Sequence, residues 1–340
     1  MSDILSPWSP LMKTALEAAA AFEGATSPNP PVGAVGVDAS GNVLSVGAHV
    51  RAGEPHAEQV VIADCRARGI DGQLHTLVVT LEPCNHVGRT PACSEIILSI
   101  PSLRRVVYGA GDPNPRVAGG GGERLRAQGL EVIEGVERAG CEKLIRAFSH
   151  HTRTGLPWIT MKVALDPHGS MIPPTGQKTF TSEASLKLAH ELRRRADAIL
   201  TGSGTVLADS PEFTVRHVPD FTHKRRRLIV MDRRGQVTEK SDWFVLARER
   251  GFDVQCEARP LPIILTELGR SGVMELLVEA GPTLSRALQR AGLWNERVTI
   301  QSTEGKDDVV QIQYNPAAPL TIAEGNATPN ATEDECLPAS

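Results

Sequence analysis

Predicted strands and helices alternate along most of this chain, and the alternation is interrupted once. Runs rich in β-branched and aliphatic residues, such as 76–81 and 227–231, are typical of buried central strands, and segments with helical apolar periodicity lie between them. Such alternation favours a layered α/β domain. Residues 152–157 are mainly polar and turn-forming, and a new strand begins at Trp158. We therefore predict two α/β domains, at 1–150 and 156–325.

The ends of the predicted elements follow from Gly, Pro and the loss of periodicity. In the first domain we predict helices at 11–23, 56–68, 92–99 and 122–128, and strands within 32–50 and at 76–81, 104–109 and 130–135. In the second we predict helices at 183–194 and 282–291, and strands at 158–165, 198–201, 227–231 and 275–278. The glycines at 119–122 indicate a turn. From about residue 301 the sequence turns polar, and 326–340 is predicted to be a disordered tail.

Composition limits the function classes. The formal net charge is −4, so there is no global positive field to attract a nucleic acid, and we predict a small-molecule substrate instead. The first residues lack the basic and apolar regions of a secretory signal, and no stretch is apolar enough to span a membrane. Six scattered cysteines do not resemble a disulfide framework. We expect a cytoplasmic protein with free thiols and no membrane partner, and we leave a homo-oligomer open.

One histidine and two cysteines fall at predicted transitions from strand or loop to helix. His56 opens the helix at 56–68, and Cys84 and Cys93 bracket the loop before the helix at 92–99. Together they offer three ligands for tetrahedral zinc, which leaves a fourth position for water in a catalytic site. Glu58 lies two residues beyond the histidine, where it can face that water rather than the metal. This division of labour is found in zinc nucleobase deaminases, in which the glutamate relays the proton.

Each half of this pattern is weak alone. A His-x-Glu triplet occurs by chance in a chain with ten histidines, and a free cysteine is usually a small buried apolar residue. A structural zinc site is the alternative interpretation of the three ligands together. We favour catalysis because a closed structural site requires four protein ligands.

Four segments give the first domain a specific resemblance. They are SPNPPVG at 27–33, RAGEPHAE at 51–58, TLEPCNHVGRTPAC at 80–93 and DPNP at 112–115. With them the domain resembles the bifunctional deaminase/reductase family of riboflavin biosynthesis. The resemblance implies a cytidine-deaminase-like three-layer fold and the deamination of a diaminopyrimidine that carries a ribosylamino 5-phosphate. It also implies that substrate is bound by Asn29, His49, His86, Arg89 and Thr90, with Asn29 orienting the ring.

The second domain resembles the reductase half of the same family. The matching segments are MKVA at 161–164, TSE at 181–183, LR at 192–193, AILTGSGTVLAD at 198–209, FTVR at 213–216 and VEAGPTL at 278–284. The resemblance implies a dihydrofolate-reductase-like fold that uses NADPH to reduce the ribose to ribityl. The residues that it implies for the cofactor are Lys162, Ala164, Thr181, Gly202, Ser203, Gly204, Thr205, Asp209, Gly281, Pro282 and Thr283. Those that it implies for the substrate are Ser182, Arg193, Arg216 and Glu279, with the two arginines on its phosphate.

Three segments of the second domain depart from the family pattern. LDPHGS at 165–170 lacks a usual basic residue, Phe180 stands in place of a tryptophan, and residues 302–308 are polar where the family continues into further strands. These departures keep a second hypothesis open, in which an altered reductase half serves another pyrimidine route, such as that to an azapteridine antibiotic. An RNA-editing deaminase is a third, which the acidic net charge disfavours.

Overall fold

The computed structural model describes residues 7–85, 92–114, 120–172, 180–303 and 306–316. The described chain divides into two compact units between Arg153 and Thr154. Each unit has its own sheet and its own apolar core. Within the described residues, no helix combines the length and the apolar character needed to cross a membrane.

The first unit is built on a five-stranded sheet. Its elements are α1 (Ser9–Ala20), β1 (Gly33–Val37), β2 (Val43–Ala48), α2 (Ala57–Ala67), a short 3-10 helix (Asp71–Gln73), β3 (Thr76–Leu81), α3 (Cys93–Leu98), β4 (Arg105–Ala110), α4 (Gly120–Ala127), β5 (Glu131–Glu134), α5 (Arg138–Leu144) and α6 (Arg146–Thr154). The strand order is β2-β1-β3-β4-β5. β1 is antiparallel to β2 and β3, whereas β3, β4 and β5 are parallel.

Close packing of helices on this sheet explains two of its features. Met12, Ala15 and Ala19 recur at helical spacing and are fully buried, so they form the inner face of α1. Gly33 of β1 lies so near this helix that a Cβ atom there would be 2.0 Å from the Ala15 carbonyl oxygen. β3 is buried along its whole length, as expected of a central strand covered on both faces.

The second unit contains a seven-stranded sheet. Its elements are β6 (Trp158–Leu165), α7 (Glu183–Arg195), β7 (Ala198–Gly202), α8 (Ser203–Asp209), β8 (Arg227–Met231), α9 (Asp242–Glu249), β9 (Asp253–Glu257), α10 (Leu261–Arg270), β10 (Glu275–Val278), α11 (Pro282–Arg290), β11 (Glu296–Thr303) and β12 (Lys306–Tyr314). The order is β12-β11-β6-β10-β7-β8-β9, and every neighbouring pair is parallel except β11 with β12. The carboxyl ends of β7 and β10 therefore lie side by side, and α8 and α11 begin there.

The predicted α/β class is confirmed in both units, but two local predictions are wrong. Residues 302–308 belong mostly to the hairpin of β11 and β12. A polar stretch can form this hairpin because β11 alternates buried and half-buried residues, so every second position tolerates a polar side chain.

Gly120 to Gly122 open α4 rather than form only a turn. A Cβ atom at Gly121 would be 1.8 Å from the Pro83 carbonyl oxygen, so close packing requires the glycine. The predicted tail at 326–340 lies outside the described residues.

Candidate active sites

The three predicted metal ligands come together in the first unit. His56 directly precedes α2, Cys93 is the first residue of α3, and Cys84 lies just beyond β3. Their ligand atoms all lie within 4.8 Å of one another. His56 Nδ1 is 3.3 Å from Cys93 Sγ and 3.8 Å from Cys84 Sγ.

This cluster fits a zinc ion. With Zn–S near 2.3 Å and Zn–N near 2.0 Å, a tetrahedral ion holds neighbouring ligand atoms roughly 3.5 to 3.8 Å apart. The measured spacings are close to that range, and the donor set of one imidazole and two thiolates suits zinc. The three ligands leave one tetrahedral position for a reacting water.

The pKa values of the two cysteine thiols are shifted in opposite directions. Hydrogen bonding from the Cys93 thiol, with further donation from His56 and from the Cys93 backbone N–H at 3.3 Å, lowers the pKa of Cys84 to about 4. In Cys93, the hydrogen bond to Cys84 and burial both raise the pKa of the thiol, so this cysteine keeps its proton. Metal binding would therefore release the proton that Cys93 retains.

Glu58 lies on the first turn of α2, beside this cluster. Its side chain is buried, and burial raises the pKa of its carboxyl group above the ordinary value. The ligand cluster consists of the histidine and the two cysteines, without Glu58. A carboxyl group with a raised pKa next to a metal-activated water is suited to accept a proton and then donate it.

Two of the predicted substrate residues lie next to the ligands. The ring of His49 is 5.4 Å from that of His56. His49 Nδ1 is 3.1 Å from the Pro55 carbonyl oxygen, which can only accept, so Nδ1 carries the proton. Nε2 is then free to accept from Asn29 Nδ2 at 3.2 Å. Burial lowers the pKa of His49, which favours this neutral form. His86, Arg89 and Thr90 lie outside the described residues.

No role was predicted for Glu82, yet its carboxylate connects the residues after β4 with the start of α4. Glu82 is 4% exposed; its Oε2 accepts from Asp112 N at 3.2 Å and its Oε1 from Gly122 N at 3.0 Å. Because β3 and β4 are parallel, their carboxyl ends bring these segments together. The sequence did offer one sign of it, an acidic residue between an apolar strand and Pro83 in the segment at 80–93.

In the second unit, two predicted glycine segments meet at neighbouring strand ends. Gly202 precedes α8, Gly281 precedes α11, and Gly281 N donates to Thr205 Oγ1 at 3.0 Å. A Cβ atom at Gly204 would meet nothing within 4 Å, so a ligand has room to approach the backbone there. Backbone N–H groups at such helix starts bind phosphates. Apart from the N–H of Gly281, which donates to Thr205, the starts of α8 and α11 therefore fit the pyrophosphate of a dinucleotide.

The other predicted cofactor residues are spread over the same unit. Lys162 and Ala164 lie on β6, Thr181 precedes α7, Ser203 begins α8 and Asp209 ends it, while Pro282 and Thr283 begin α11. Of the predicted substrate residues, Ser182 is the residue before α7 and its Oγ accepts from Ser185 N.

Glu279 gathers two cations. Arg193 donates from Nε at 2.5 Å and from Nη2 at 2.9 Å to the two oxygens of Glu279, and Lys162 Nζ lies 3.1 Å from Oε2. Burial alone would raise the pKa of Glu279, but the two cations lower it to about 2. Two donors of the Arg193 fork thus point to this carboxylate.

Arg216 lies close to Arg193 through a shared neighbour. Arg193 Nη1 donates to the Thr214 carbonyl oxygen at 3.2 Å, and Arg216 Nη1 donates to Thr214 Oγ1 at 2.7 Å. Arg216 also pairs with Glu212 and is half exposed. The structure therefore brings the two predicted phosphate ligands together, with Arg216 the more accessible.

Comparisons with known proteins match both halves of the chain. A family model described as "Cytidine and deoxycytidylate deaminase zinc-binding region" matches residues 7–110, and one described as "RibD C-terminal domain" matches residues 157–302. Riboflavin biosynthesis protein RibD from Bacillus amyloliquefaciens is 36% identical over 310 residues, covering 84% of this chain and 81% of that protein. The Escherichia coli K12 protein of the same name is 35% identical, covering 84% and 85%.

Solved structures give the same result for the whole chain. The diaminohydroxyphosphoribosylaminopyrimidine deaminase/5-amino-6-(5-phosphoribosylamino)uracil reductase from Thermotoga maritima has a TM-score of 0.77 at 30% identity, covering 95% of this chain and 93% of that one. Acinetobacter baumannii RibD, form 1, has a TM-score of 0.74 at 30% identity, covering 88% of each chain. The predicted cytidine-deaminase-like and dihydrofolate-reductase-like folds are thereby confirmed.

Proposed function

Since the chain belongs to the RibD family of bifunctional deaminase/reductases of riboflavin biosynthesis, we propose that it converts one pyrimidine in two successive steps. The first is the hydrolytic deamination of diaminohydroxyphosphoribosylaminopyrimidine. The second is the NADPH-dependent reduction of the resulting 5-amino-6-(5-phosphoribosylamino)uracil. The observation that carries the first step is the placing of buried Glu58 beside the cluster of His56, Cys84 and Cys93.

We assign the two steps to the two domains predicted from the sequence. Residues 1–150 would deaminate and residues 156–325 would reduce. The metal ligands all belong to the first range, and the glycine segments at the starts of α8 and α11 belong to the second. The match of the zinc-binding family model to 7–110 and of the RibD C-terminal model to 157–302 supports this assignment.

In the deaminase, the chain's own residues would handle protons and orientation. His56, Cys84 and Cys93 would hold a zinc ion, which would supply the Lewis acidity that activates water near neutral pH. Glu58 would accept the first proton of the water and pass it to the ring nitrogen, and would then transfer the second proton, from the hydroxyl group added to the ring, to the departing amine. Water thus replaces the amino group with a carbonyl, and ammonia leaves.

Orientation of the pyrimidine would depend on Asn29 and His49. With His49 Nε2 accepting from Asn29 Nδ2, the amide is held with its oxygen free to accept from the ring or its amino group. His86, Arg89 and Thr90 would bind the sugar and phosphate, as the resemblance implies.

In the reductase, backbone N–H groups at the starts of α8 and α11 would bind the cofactor phosphates. NADPH bound there would supply the hydride that, together with a proton, reduces the ribosyl group to a ribityl chain. Glu279 holds Lys162 and Arg193 in place, while Arg216 and Ser182 would contact the substrate. Since Arg193 is engaged by Glu279, we propose Arg216 as the principal phosphate ligand.

The test is to incubate the purified protein with the ribosylaminopyrimidine phosphate and to follow product masses with and without NADPH. We expect the loss of an amino group in both reactions, and a gain of two hydrogens only with NADPH. Deamination without reduction would instead support the altered reductase half that Phe180 and its neighbouring departures suggested. The absence of deamination would refute the proposal.

A further inference from the structure

A carboxylate from the edge of the second sheet holds the start of α7. Asp308 lies on β12, and its Oδ2 accepts a hydrogen bond from Ser182 N at 2.7 Å. The side chains of Ser185, Ser182 and Ser302 lie near enough to this carboxylate to lower its pKa. One side chain on β12 thus holds the backbone of a segment far away in the sequence.

The same hairpin also fixes the residue at the other end of this short segment. Ser302 Oγ donates to the Phe180 carbonyl oxygen at 2.9 Å. Ser302 and Asp308 belong to the polar stretch that departs from the family pattern, and Phe180 is a second departure. The two departures are therefore in direct contact and together define the path of residues 180–182.

The charge of Asp308 is suited to this place. Burial alone would raise the pKa of its carboxyl group, but the nearby side chains of Ser185, Ser182 and Ser302, together with the Ser182 backbone N–H, outweigh burial and hold the pKa below the ordinary value. A carboxylate at a helix start also interacts favourably with the helix dipole. The group therefore stays ionised and strengthens each hydrogen bond that it accepts.

Asp308 is not needed as the N-cap of α7. Ser182 already caps α7, because its Oγ accepts from Ser185 N at 3.3 Å. The additional bond from Ser182 N to Asp308 therefore determines where this cap lies relative to β12, and through Ser302 relative to the carboxyl end of β11. β11 runs parallel to β6, which carries Lys162 and Ala164.

We propose that Asp308 is a positioning residue of the reductase, which holds Ser182 where the ribosyl substrate meets it. This inference rests on the proposed function, in which Ser182 contacts that substrate. Asp308 itself need not touch substrate or cofactor. Its effect is then expected mainly in substrate affinity.

The test compares Asp308→Asn with a matched control, Asp307→Asn. The first substitution would keep the shape of the side chain but remove its charge and place an amide donor beside the Ser182 N–H. Asp307 is the exposed neighbour on the same strand, and only its backbone carbonyl accepts, from Thr303 Oγ1. We would supply the deaminated pyrimidine and measure reductase kcat and KM, the Kd for NADPH without turnover, and the deaminase rate of the same preparation.

For Asp308→Asn we expect the reductase KM for the pyrimidine to rise by about tenfold or more, the usual scale of a lost charge-assisted hydrogen bond. The deaminase rate should remain within about twofold of wild type, since it depends on the first domain. Thr181 lies beside Ser182 on the same segment, so the NADPH Kd should rise less than the KM for the pyrimidine. Ser302→Ala, which frees only the Phe180 carbonyl, should give a smaller rise. Asp307→Asn should match wild type.

Two results would overturn the inference and leave the proposed function intact. Unchanged reductase constants in Asp308→Asn would do so, and so would a parallel fall of both activities with the unfolding temperature, which indicates general destabilisation. A wild-type protein that binds no NADPH and reduces nothing would refute the proposed reductase, and the inference with it. Failure of the variant alone to differ would refute only the role of Asp308.

Discussion

Glu58 shows how burial adapts an ordinary carboxyl group to proton transfer. Burial raises its pKa above the ordinary value for a glutamate, and a general acid and base is most effective when its pKa is near the working pH. We expect Glu58→Gln to lower deaminase kcat by roughly 10²- to 10⁴-fold. The metal should stay bound, because the three ligands are untouched. Steady-state kinetics and zinc content by elemental analysis check both parts.

The control for this variant is Glu54→Gln, four residues earlier. Glu54 is half-exposed and pairs with Arg51, so its neutralisation should leave kcat and zinc content unchanged. If Glu58→Gln kept full deaminase activity with zinc bound, the centre would be structural rather than catalytic.

Glu279 illustrates the reverse case, a buried carboxylate that must stay charged. Glu279→Gln would leave Arg193 and Lys162 without their shared anion, and unpairing a buried charge costs about 3 to 5 kcal/mol. We expect a loss of this order in the unfolding free energy of the second unit, measured by denaturant titration. Asp253→Asn, at an exposed pair with Arg227, should change it by less than about 1 kcal/mol. If both variants lowered the unfolding free energy equally, the buried ion pairs of Glu279 with Arg193 and Lys162 would not be the cause.

At the scale of elements, the start of α4 depends on a glycine. A methyl group at Gly121 would be 1.8 Å from the Pro83 carbonyl oxygen, so either α4 or the segment before Cys84 must move. We expect Gly121→Ala to destabilise the first unit by about 1 to 3 kcal/mol and to weaken zinc binding. Chemical denaturation and a zinc competition titration measure these effects.

Gly72 provides the matched control at this scale. A Cβ atom there would meet nothing within 4 Å, so Gly72→Ala should be tolerated without loss of zinc affinity. Zinc affinity at the wild-type level in Gly121→Ala would show that α4 and the ligand loop are not mechanically coupled.

Elements whose apolar pattern matches their burial were predictable from sequence. Thr76–Leu81 and Trp158–Leu165 were predicted with their observed bounds, because the first is apolar and buried throughout and the second is mainly apolar with a buried middle. β9 was missed, since the edge strand Asp253–Glu257 is largely polar and only Val254 is deeply buried. β12 was missed for a related reason, because an edge strand tolerates Asp and Gln among exposed valines.

The site residues also divide into those that the sequence predicts and those that it does not. The metal ligands were predictable because few residue types bind zinc, and their spacing limits the chemistry. Glu82 and Asp308 were not, because their roles depend on hydrogen bonds to backbone groups that only the tertiary fold brings near. A lone acidic residue in the sequence carries no sign of such partners.

At the scale of the whole molecule, the basic runs of the second unit are largely matched by acids. Arg195 pairs with Glu275 and Glu296, and Lys224 pairs with Asp197. This compensation favours a small phosphorylated substrate over a nucleic acid, which needs uncompensated positive charge.

Acid stability is expected to follow the buried histidines. Burial lowers the pKa of His150 to about 4, whereas the unfolded chain takes up a proton near 6.5. Between these values the unfolded state binds more protons, so stability rises with pH and falls on acidification from about 6.5 to 4. His150→Gln should flatten this dependence in thermal unfolding measured across that range. An unchanged slope would mean that other groups dominate it.

Removal of zinc tests whether the two units work independently. Each has its own sheet and core, and the metal ligands all belong to the first. Chelation should therefore abolish deamination, while NADPH binding and the reduction of supplied deaminated pyrimidine persist near wild-type rates. Adding zinc back should restore deamination, which controls for irreversible unfolding. If reductase activity were lost with the metal and regained with it, folding of the second unit would depend on the zinc centre. Apolar packing within that unit would then not be enough to keep it folded.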